Sequence, residues 1–371
     1  MHKTTTAFFA VFICAVALSG CSDDEKTAQD LYIRSTQDVK NGYTDSAEIK
    51  LEKAVSLNPE FTTAKLALGE IKYSAGKYNE AISALQEVAE SDTANYSAIY
   101  LLANSYAKKG EYAKATEHYS RAIKLRPDSV LAYNNFAAAL TALNRFDEAF
   151  AAYQTVISML MKSSDPSAKT MLVTAYFDVA TALGRKGDYK KALEAYQTAI
   201  MLKPDFAEAY YYLGITYYNL GDLKSAAAAL SGATRAKPDF ARAYNDLGII
   251  CGKLGDSAAC FNYLGMTEVL QGKFADGIDL YQKALARKPN FVEAQFNLGL
   301  AYGYADKLRE AEKAFLAVTA AKPDYIDAYL QLQTIYSRLG EKEKADFAQR
   351  KSLELGYKLS KKLRPNTFKM Q

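Results

Sequence analysis

The chain has 371 residues, room for two or three ordinary domains or for one long repeat array. With 49% hydrophobic and 24% charged residues it has a globular composition that excludes wholesale disorder, and 20 Gly and 8 Pro exclude collagen-like or proline-rich character. A net charge of +4 is too small to mark a nucleic-acid binder, and four Cys make neither a disulfide framework nor a zinc ribbon. Trp is absent while Tyr reaches 28, an imbalance that needs a cause.

At the start, Lys3 precedes twelve apolar or small residues, Ala7 to Leu18. That run has the length of a signal-peptide core and falls short of the ~20 residues that span a bilayer. It ends in Leu18-Ser19-Gly20-Cys21, with polar Ser22-Asp23-Asp24-Glu25 behind it. This junction resembles the lipobox of bacterial lipoproteins. The resemblance implies removal of residues 1–20, diacylglycerol and an N-acyl chain on Cys21, and a lipidated tether over 21–27. Two or three acyl chains on one residue hold a protein on a membrane where a single chain does not. In that family an Asp directly after the Cys marks retention at the inner membrane. Ser22 stands there, so the resemblance implies the periplasmic face of the outer membrane. No later stretch is apolar and long enough to span a bilayer.

Beyond the tether the prolines are periodic. Pro204 and Pro238 are 34 residues apart, as are Pro289 and Pro323, and Pro59 and Pro127 are 68 apart with Thr93 midway. A period of this size governs every later reading. On it align Tyr210, Leu213, Gly214 and Tyr217, then Ala226, Leu230 and Pro238. The pattern resembles the tetratricopeptide repeat (TPR), with Tyr where Trp is usual, which accounts for the missing Trp and part of the Tyr excess. Nine repeats begin at residues 28, 62, 96, 130, 173, 207, 258, 292 and 326 and cover 306 of the 371 residues. Ala47, Ala81, Ala115, Ala149, Ala192, Ala226, Ala311 and Ala345 share one place in the second helix, where a bulkier side chain would overpack the pair at ~1–3 kcal/mol. Gly at 42, 76, 110, 187, 221, 272 and 340 ends first helices, and Pro-Asp or Pro-Asn pairs stop second helices. The resemblance implies an all-α, right-handed superhelical solenoid of antiparallel helix pairs.

Two departures divide the array. Repeats 1–4 occupy 28–163, and an insertion at 164–172 carries Asp165-Pro166, which reads as an N-cap with Pro at the first helical position, so the next helix is expected to start early. Repeats 5–6 occupy 173–240, and 241–257 is an extra half-repeat, with a first helix over Ala241 to Leu254 through Tyr244, Leu247 and Gly248. Ser257 to Leu270 then serves both as its second helix and as the first helix of the repeat at 258; the alternative is one degenerate repeat with the same helices. Repeats 7–9, with the capping helix, occupy 258–359, and 360–371 form a basic tail. Residues 348–371 hold seven Lys/Arg (Arg350, Lys351, Lys358, Lys361, Lys362, Arg364, Lys369) against one Glu. Such a run suits anionic lipid or an acidic partner, or the solvated cap of a solenoid.

Catalytic material is sparse. Apart from His2 the one His is His118, at a second-helix place that usually faces outward, and no P-loop, Cys-x-x-Cys or His-x-x-x-His occurs. Neither enzymatic activity nor a bound metal or cofactor is expected. Cys251 and Cys260 flank the turn at Gly255-Asp256 symmetrically, which leaves two readings: a disulfide, or two buried small residues.

In TPR proteins the concave groove is lined by first helices, at their second, fifth, ninth and twelfth places. The fifth places here are Tyr32, Leu66, Tyr100, Asn134, Phe177, Tyr211, Asn245, Asn262, Phe296 and Leu330. The ninth adds Asn104 and Ile249, the twelfth Tyr73 and Tyr218. Chaperone-type members clamp a carboxylate with Lys and Asn there; no Lys or Arg takes a fifth place in this chain. Aromatics and amides suit an extended peptide or an amphipathic helix, or else such Tyr merely pack on neighbouring helices. The groove candidates are Tyr100, Asn104, Asn134, Phe177, Tyr211, Tyr218, Asn245 and Phe296. The reading is a membrane-tethered scaffold for envelope proteins, since TPR lipoproteins it resembles serve pilus secretins, exopolysaccharide export or wall synthesis. The alternative is a carbohydrate-binding module for an exported or wall polysaccharide. No nucleic-acid partner is expected, and self-association through terminal repeats stays open.

Overall fold

The computed structural model describes residues 22–363, with side chains to residue 359. The signal segment, Cys21, the side chains of Lys361 and Lys362, and the tail from Arg364 lie outside the described residues. Among the described residues there are nineteen α-helices and no strand. None of the helices is long and apolar enough to cross a membrane.

The helices fall into two compact units, divided between Lys162 and Ser163. The first unit holds α1 (Asp23–Lys40), α2 (Thr44–Leu57), α3 (Thr62–Ser74), α4 (Tyr78–Ser91), α5 (Tyr96–Lys108), α6 (Tyr112–Leu125), α7 (Val130–Ala142) and α8 (Phe146–Lys162). The second holds α9 (Ala168–Lys186), α10 (Tyr189–Leu202), α11 (Ala207–Asn219), α12 (Leu223–Ala236), α13 (Ala241–Lys253) and α14 (Ser257–Leu270). It continues through α15 (Phe274–Arg287), α16 (Val292–Tyr304), α17 (Leu308–Ala321), α18 (Ile326–Leu339) and α19 (Lys342–Leu363). Each unit is a solenoid of antiparallel helix pairs.

The pairs close because a small residue on one helix meets a large one sixteen residues later. A Cβ on Gly69 would stand 2.6 Å from the Leu85 side chain, one on Gly214 2.8 Å from Leu230, and one on Gly299 2.6 Å from Phe315. The second-helix Ala at 47, 81, 115, 149, 192, 226 and 311 are all completely buried. Leu85 and Leu230 are completely buried too, each contributing about 1.5–3 kcal/mol. First helices end in left-handed residues, Gly at most turns, with Asn144 (φ 61°) and Asp306 (φ 58°) filling the two 34-residue places that lack Gly. In the second unit Lys203, Lys237, Lys288 and Lys322 each lay the ammonium 4.7–5.4 Å from the ring three residues on, so the Lys-Pro-Asp/Asn-aromatic turn closes on a cation–π contact of ~0.5–1 kcal/mol.

Three boundaries differ from the sequence expectation. Residues 23–27 are helix rather than tether. Ser22 Oγ accepts from the Glu25 amide at 3.2 Å while Glu25 Oε2 accepts from the Ser22 amide at 2.8 Å, a capping box that starts α1 five residues before the repeat register. In the insertion only 164–167 are non-helical, and α9 starts early, at Ala168, as expected. Asp165 does not cap α9; its Oδ1 accepts from the Ser167 amide at 2.8 Å in a turn, and Ser167 takes the cap position before Ala168. At the other end α19 runs to Leu363, so the first residues of the expected tail are helical.

α14 plays two parts. Leu264 faces a Cβ built on Gly248 at 3.0 Å, as a second helix would, and Gly265 faces Tyr281 at 2.8 Å, as a first helix would. Neighbouring residues on one helix thus carry the large partner for α13 and the small partner for α15. Among the described residues this leaves an odd number of helices in the second unit.

Candidate partner-binding surface

The first helices carry a recurring side-chain ladder. At four places a fifth-place side chain meets the sixth-place side chain of the next first helix, 35 residues on. In the first unit Asn135 Nδ2 donates to Tyr100 Oη at 3.0 Å and to Asn104 Oδ1 at 3.1 Å, and Tyr119 Oη donates to Asn104 at 2.6 Å. In the second, Tyr211 Oη donates to Asp246 Oδ2 at 2.7 Å, Asn297 Nδ2 donates to Asn262 Oδ1 at 3.0 Å, and Phe177 meets the Tyr212 ring edge-on at 5.7 Å. The rung from Asn262 on α14 to Asn297 on α16 makes these successive first helices, the same doubled role that Gly265 shows.

The ladder sorts the predicted groove residues. Tyr211 is only 5% exposed, lies in a core cluster with Leu230 and Leu247, and cannot offer its ring to a partner. Burial, and a hydrogen bond to Asp246, push its phenol pKa upward. Asn104 is 8% exposed and spends its carbonyl inside the protein. Tyr100 is half-buried and stacked on Tyr96 at 5.6 Å. Phe296 is half-buried against Phe315 (5.5 Å) and Tyr325 (5.2 Å). Asn245 is half-buried and donates to Asp246 Oδ1 at 3.1 Å. It also lines a shallow depression with Ala241, Arg242, Thr267 and Gln271. Asn134 is half-buried without a hydrogen bond among the described residues, and Tyr218 is exposed, with Lys253 5.6 Å over its ring. Phe177 is half-buried in the ring cluster with Tyr196, Phe206 and Tyr212.

The sixth places were absent from the sequence reading, yet they carry the ladder. Their signal was visible as a polar or aromatic residue after most of the fifth places, among them Asn135, Asp178, Tyr212, Asp246 and Asn297. Tyr212, beside buried Tyr211, is 37% exposed. Asp178 is half-buried, has no hydrogen-bond or ion-pair partner among the described residues, and burial pushes its carboxyl up to about 6. Glu70, at the ninth place of α3, is likewise half-buried and pushed up to about 7 by burial.

Outside this face, His118 is half-buried and stacked on Tyr106 at 5.5 Å, not free on the surface as its repeat place suggested; the broad Tyr106 ring covers it, and burial lowers its pKa. Cys251 and Cys260 are free thiols, so no bridge joins them here, and burial pushes Cys251 up to about 11. The one acidic trio among the described residues close enough to hold a metal is Glu48, Glu52 and Glu80. Lys72 fills it: its Nζ lies 3.2 Å from Glu48 and 2.8 Å from Glu52 and pairs with Glu80. An ammonium already occupies the place a cation would take.

Family models agree with the helix pairing. Models described as "TPR repeat" match residues 103–142, 182–221 and 265–303. Models described as "Tetratricopeptide repeat" match 72–117, 130–160, 214–259, 292–325 and 326–355. The chain is a tetratricopeptide-repeat protein. As such it belongs to a family of protein–protein interaction scaffolds, and no catalytic family is indicated.

This TPR chain is 33% identical over 106 residues to stress-induced-phosphoprotein 1 of Caenorhabditis elegans, a match over 29% of this chain and 30% of that protein. It is 28% identical over 166 residues to the peroxisomal targeting signal receptor of Komagataella phaffii, over 43% of this chain and 28% of that one. The chain thus spans less than a third of the length of these curated relatives. A crystal structure of a tetratricopeptide repeat protein from Parabacteroides merdae superposes with a TM-score of 0.50 at 18% identity, covering 74% of this chain and 99% of that one. That likeness concerns the fold alone.

Proposed function

We propose that this TPR chain is a non-enzymatic scaffold that binds protein segments, extended or as amphipathic helices, on its first-helix faces. In this reading acyl chains on Cys21 hold it at the periplasmic face of the outer membrane. There it supports assembly of an envelope complex for a pilus, secretion or exopolysaccharide export. The observation that carries the binding part is the ladder itself: polar and aromatic rungs repeat along successive first helices, and exposed Tyr212, Tyr218 and Ile249 stand beside them. Such a surface suits backbone amides and apolar anchors at repeat spacing. The membrane part is supported by the apolar run that ends at Cys21 and by Ser22 after it.

In-cell crosslinking of the full chain, followed by mass spectrometry of separated inner and outer membranes, tests both parts. Envelope-assembly proteins recovered with the outer membrane are the expected result. Recovery from the inner membrane alone would discard the argument from Ser22, and a glycan without a protein partner would move the reading to a carbohydrate-binding module. Exchange of Cys21 for Ser should release the chain from membranes and abolish fatty-acid labelling. The informative groove variant is Tyr212→Ala, because Tyr211→Ala would also remove a core side chain.

A further inference from the structure

The corner of the second unit formed by Phe177, Asp178, Tyr196 and Tyr212 is chemically unlike the rest of the ladder. Tyr196 and Tyr212 lie near-parallel, with ring centroids 6.3 Å apart and planes 10° apart. Phe177 stands edge-on to both, at 5.8 Å from Tyr196 and 5.7 Å from Tyr212. Asp178 follows Phe177 in the chain and feels Tyr196 electrostatically. Its counterparts Asn135, Asp246 and Asn297 at other sixth places are hydrogen-bonded. Asp246 accepts from Tyr211 at 2.7 Å and from Asn245 at 3.1 Å, and Asn297 donates to Asn262 at 3.0 Å. Asp178 accepts no hydrogen bond among the described residues.

We propose that this corner receives the cationic side chain, Lys or Arg, of a protein segment docked on the first-helix face. A carboxylate kept half out of water without a donor is a standing electrostatic cost that a bound cation removes, and charge-assisted bonds in such surroundings are stronger than neutral ones. The ring faces beside it carry negative quadrupole charge, so they attract a cation and repel an anion. The chain already uses this pairing at the neighbouring rung, where the Arg242 guanidinium lies 5.5 Å over the Tyr211 ring, whose hydroxyl meets Asp246. At Asp178 the carboxylate and the rings are in place and the cation is to be brought by the partner. Exposed Tyr212 leaves one side of the corner open. An anionic segment, such as a C-terminal carboxylate, is excluded there by the same field.

The inference rests on the proposal that a protein segment docks on this face, and the experiment separates the two. A phage library of random linear peptides is selected on the full folded chain, and enriched peptides are measured by fluorescence anisotropy against the wild type, Asp178→Asn and Tyr212→Leu. Asp178→Asn is isosteric and lifts a burial cost, so it should fold, which circular dichroism checks. Enriched peptides should share one Lys or Arg, lose roughly tenfold or more in affinity to Asp178→Asn, and bind more weakly as salt rises. Exchange of that Lys or Arg for Gln should cost as much on the wild type and little on Asp178→Asn. Peptides that bind without a basic residue, or whose affinity Asp178→Asn leaves unchanged, would overturn the cation site and spare the peptide-binding reading. Failure to enrich any peptide over a scrambled control would overturn both.

Discussion

Replacing Lys72 by Met tests whether the first unit is held by a charge network at its α2–α3–α4 contact. The Lys72 side chain is 7% exposed, and its Nζ serves Glu48, Glu52 and Glu80 together. Burial alone would push its pKa down, but the hydrogen bonds to Glu52, Glu80 and Glu48 outweigh burial and hold it above the usual Lys value. Removing one member of a fully buried ion pair costs ~3–5 kcal/mol. Two features reduce that figure here. Glu52 and Glu80 are half-exposed and can turn to water, and Glu48, the buried one, keeps a second donor in Lys77 at 2.7 Å. Met preserves the packing of the aliphatic stem, so about 2 kcal/mol should be lost, nearly all of it on Glu48. Urea unfolding followed by circular dichroism measures the loss, and amide exchange should localise it to α2, α3 and α4. The pH dependence follows from Glu48, whose carboxyl is held below its usual 4.5, first by the hydrogen bond from Lys77. Its contribution is present above pH 4.5 and disappears as pH falls through its lowered value, so the gap between wild type and variant should narrow in acid. Adding Glu48→Gln to Lys72→Met should restore part of the loss. A single variant within about 0.5 kcal/mol of wild type, or a double variant less stable than the single one, would refute the argument.

Three other substitutions probe the fold. Gly265→Ala should destabilise by ~1–3 kcal/mol and loosen α15 from α14, since a Cβ there would lie 2.8 Å from the Tyr281 ring; Gly356→Ala, which meets nothing within 4 Å, is the control, and thermal melts compare them. Gly110→Ala should cost ~1–2 kcal/mol from its φ of 79° alone, as a Cβ there has no neighbour, and Gly110→Asn should cost less because Asn144 already holds the equivalent turn; the same melts decide. Glu70→Gln should stabilise the chain above pH 7 and leave it unchanged at pH 4. The buried carboxyl, raised from 4.5 to about 7, gives stability present in full below 4.5 and lost as pH rises through 7, and urea midpoints at pH 4, 6 and 8 would show a flat difference if this is wrong.

The nineteen helices were legible because their causes are local or strictly periodic. The small residue, the large residue sixteen places later and the left-handed turn recur at 34 residues, so each repeat carries its own pairing instructions. The extra half-repeat was legible for the same reason, through Tyr244, Leu247 and Gly248. The capping box of Ser22 and Glu25 was also present in the sequence, but adjacency to Cys21 drew those residues into a tether.

What tertiary structure alone decided is which side chain at a given place is free. Tyr211 and Tyr212 are adjacent and identical in composition, yet a step of about 100° around the helix buries one and exposes the other. Asp178 and Asp246 occupy the same place in the repeat, yet Asp246 receives the Tyr211 hydroxyl from 35 positions earlier, whereas the insertion breaks that spacing ahead of Asp178, which has no donor among the described residues. Lys72 reads as a surface charge until α2 and α4 bring three carboxylates to it. A repeat sequence sets backbone and pairing by local periodicity; hydrogen-bond partners and water access are sums over neighbouring helices, and those exist only once the helices are stacked.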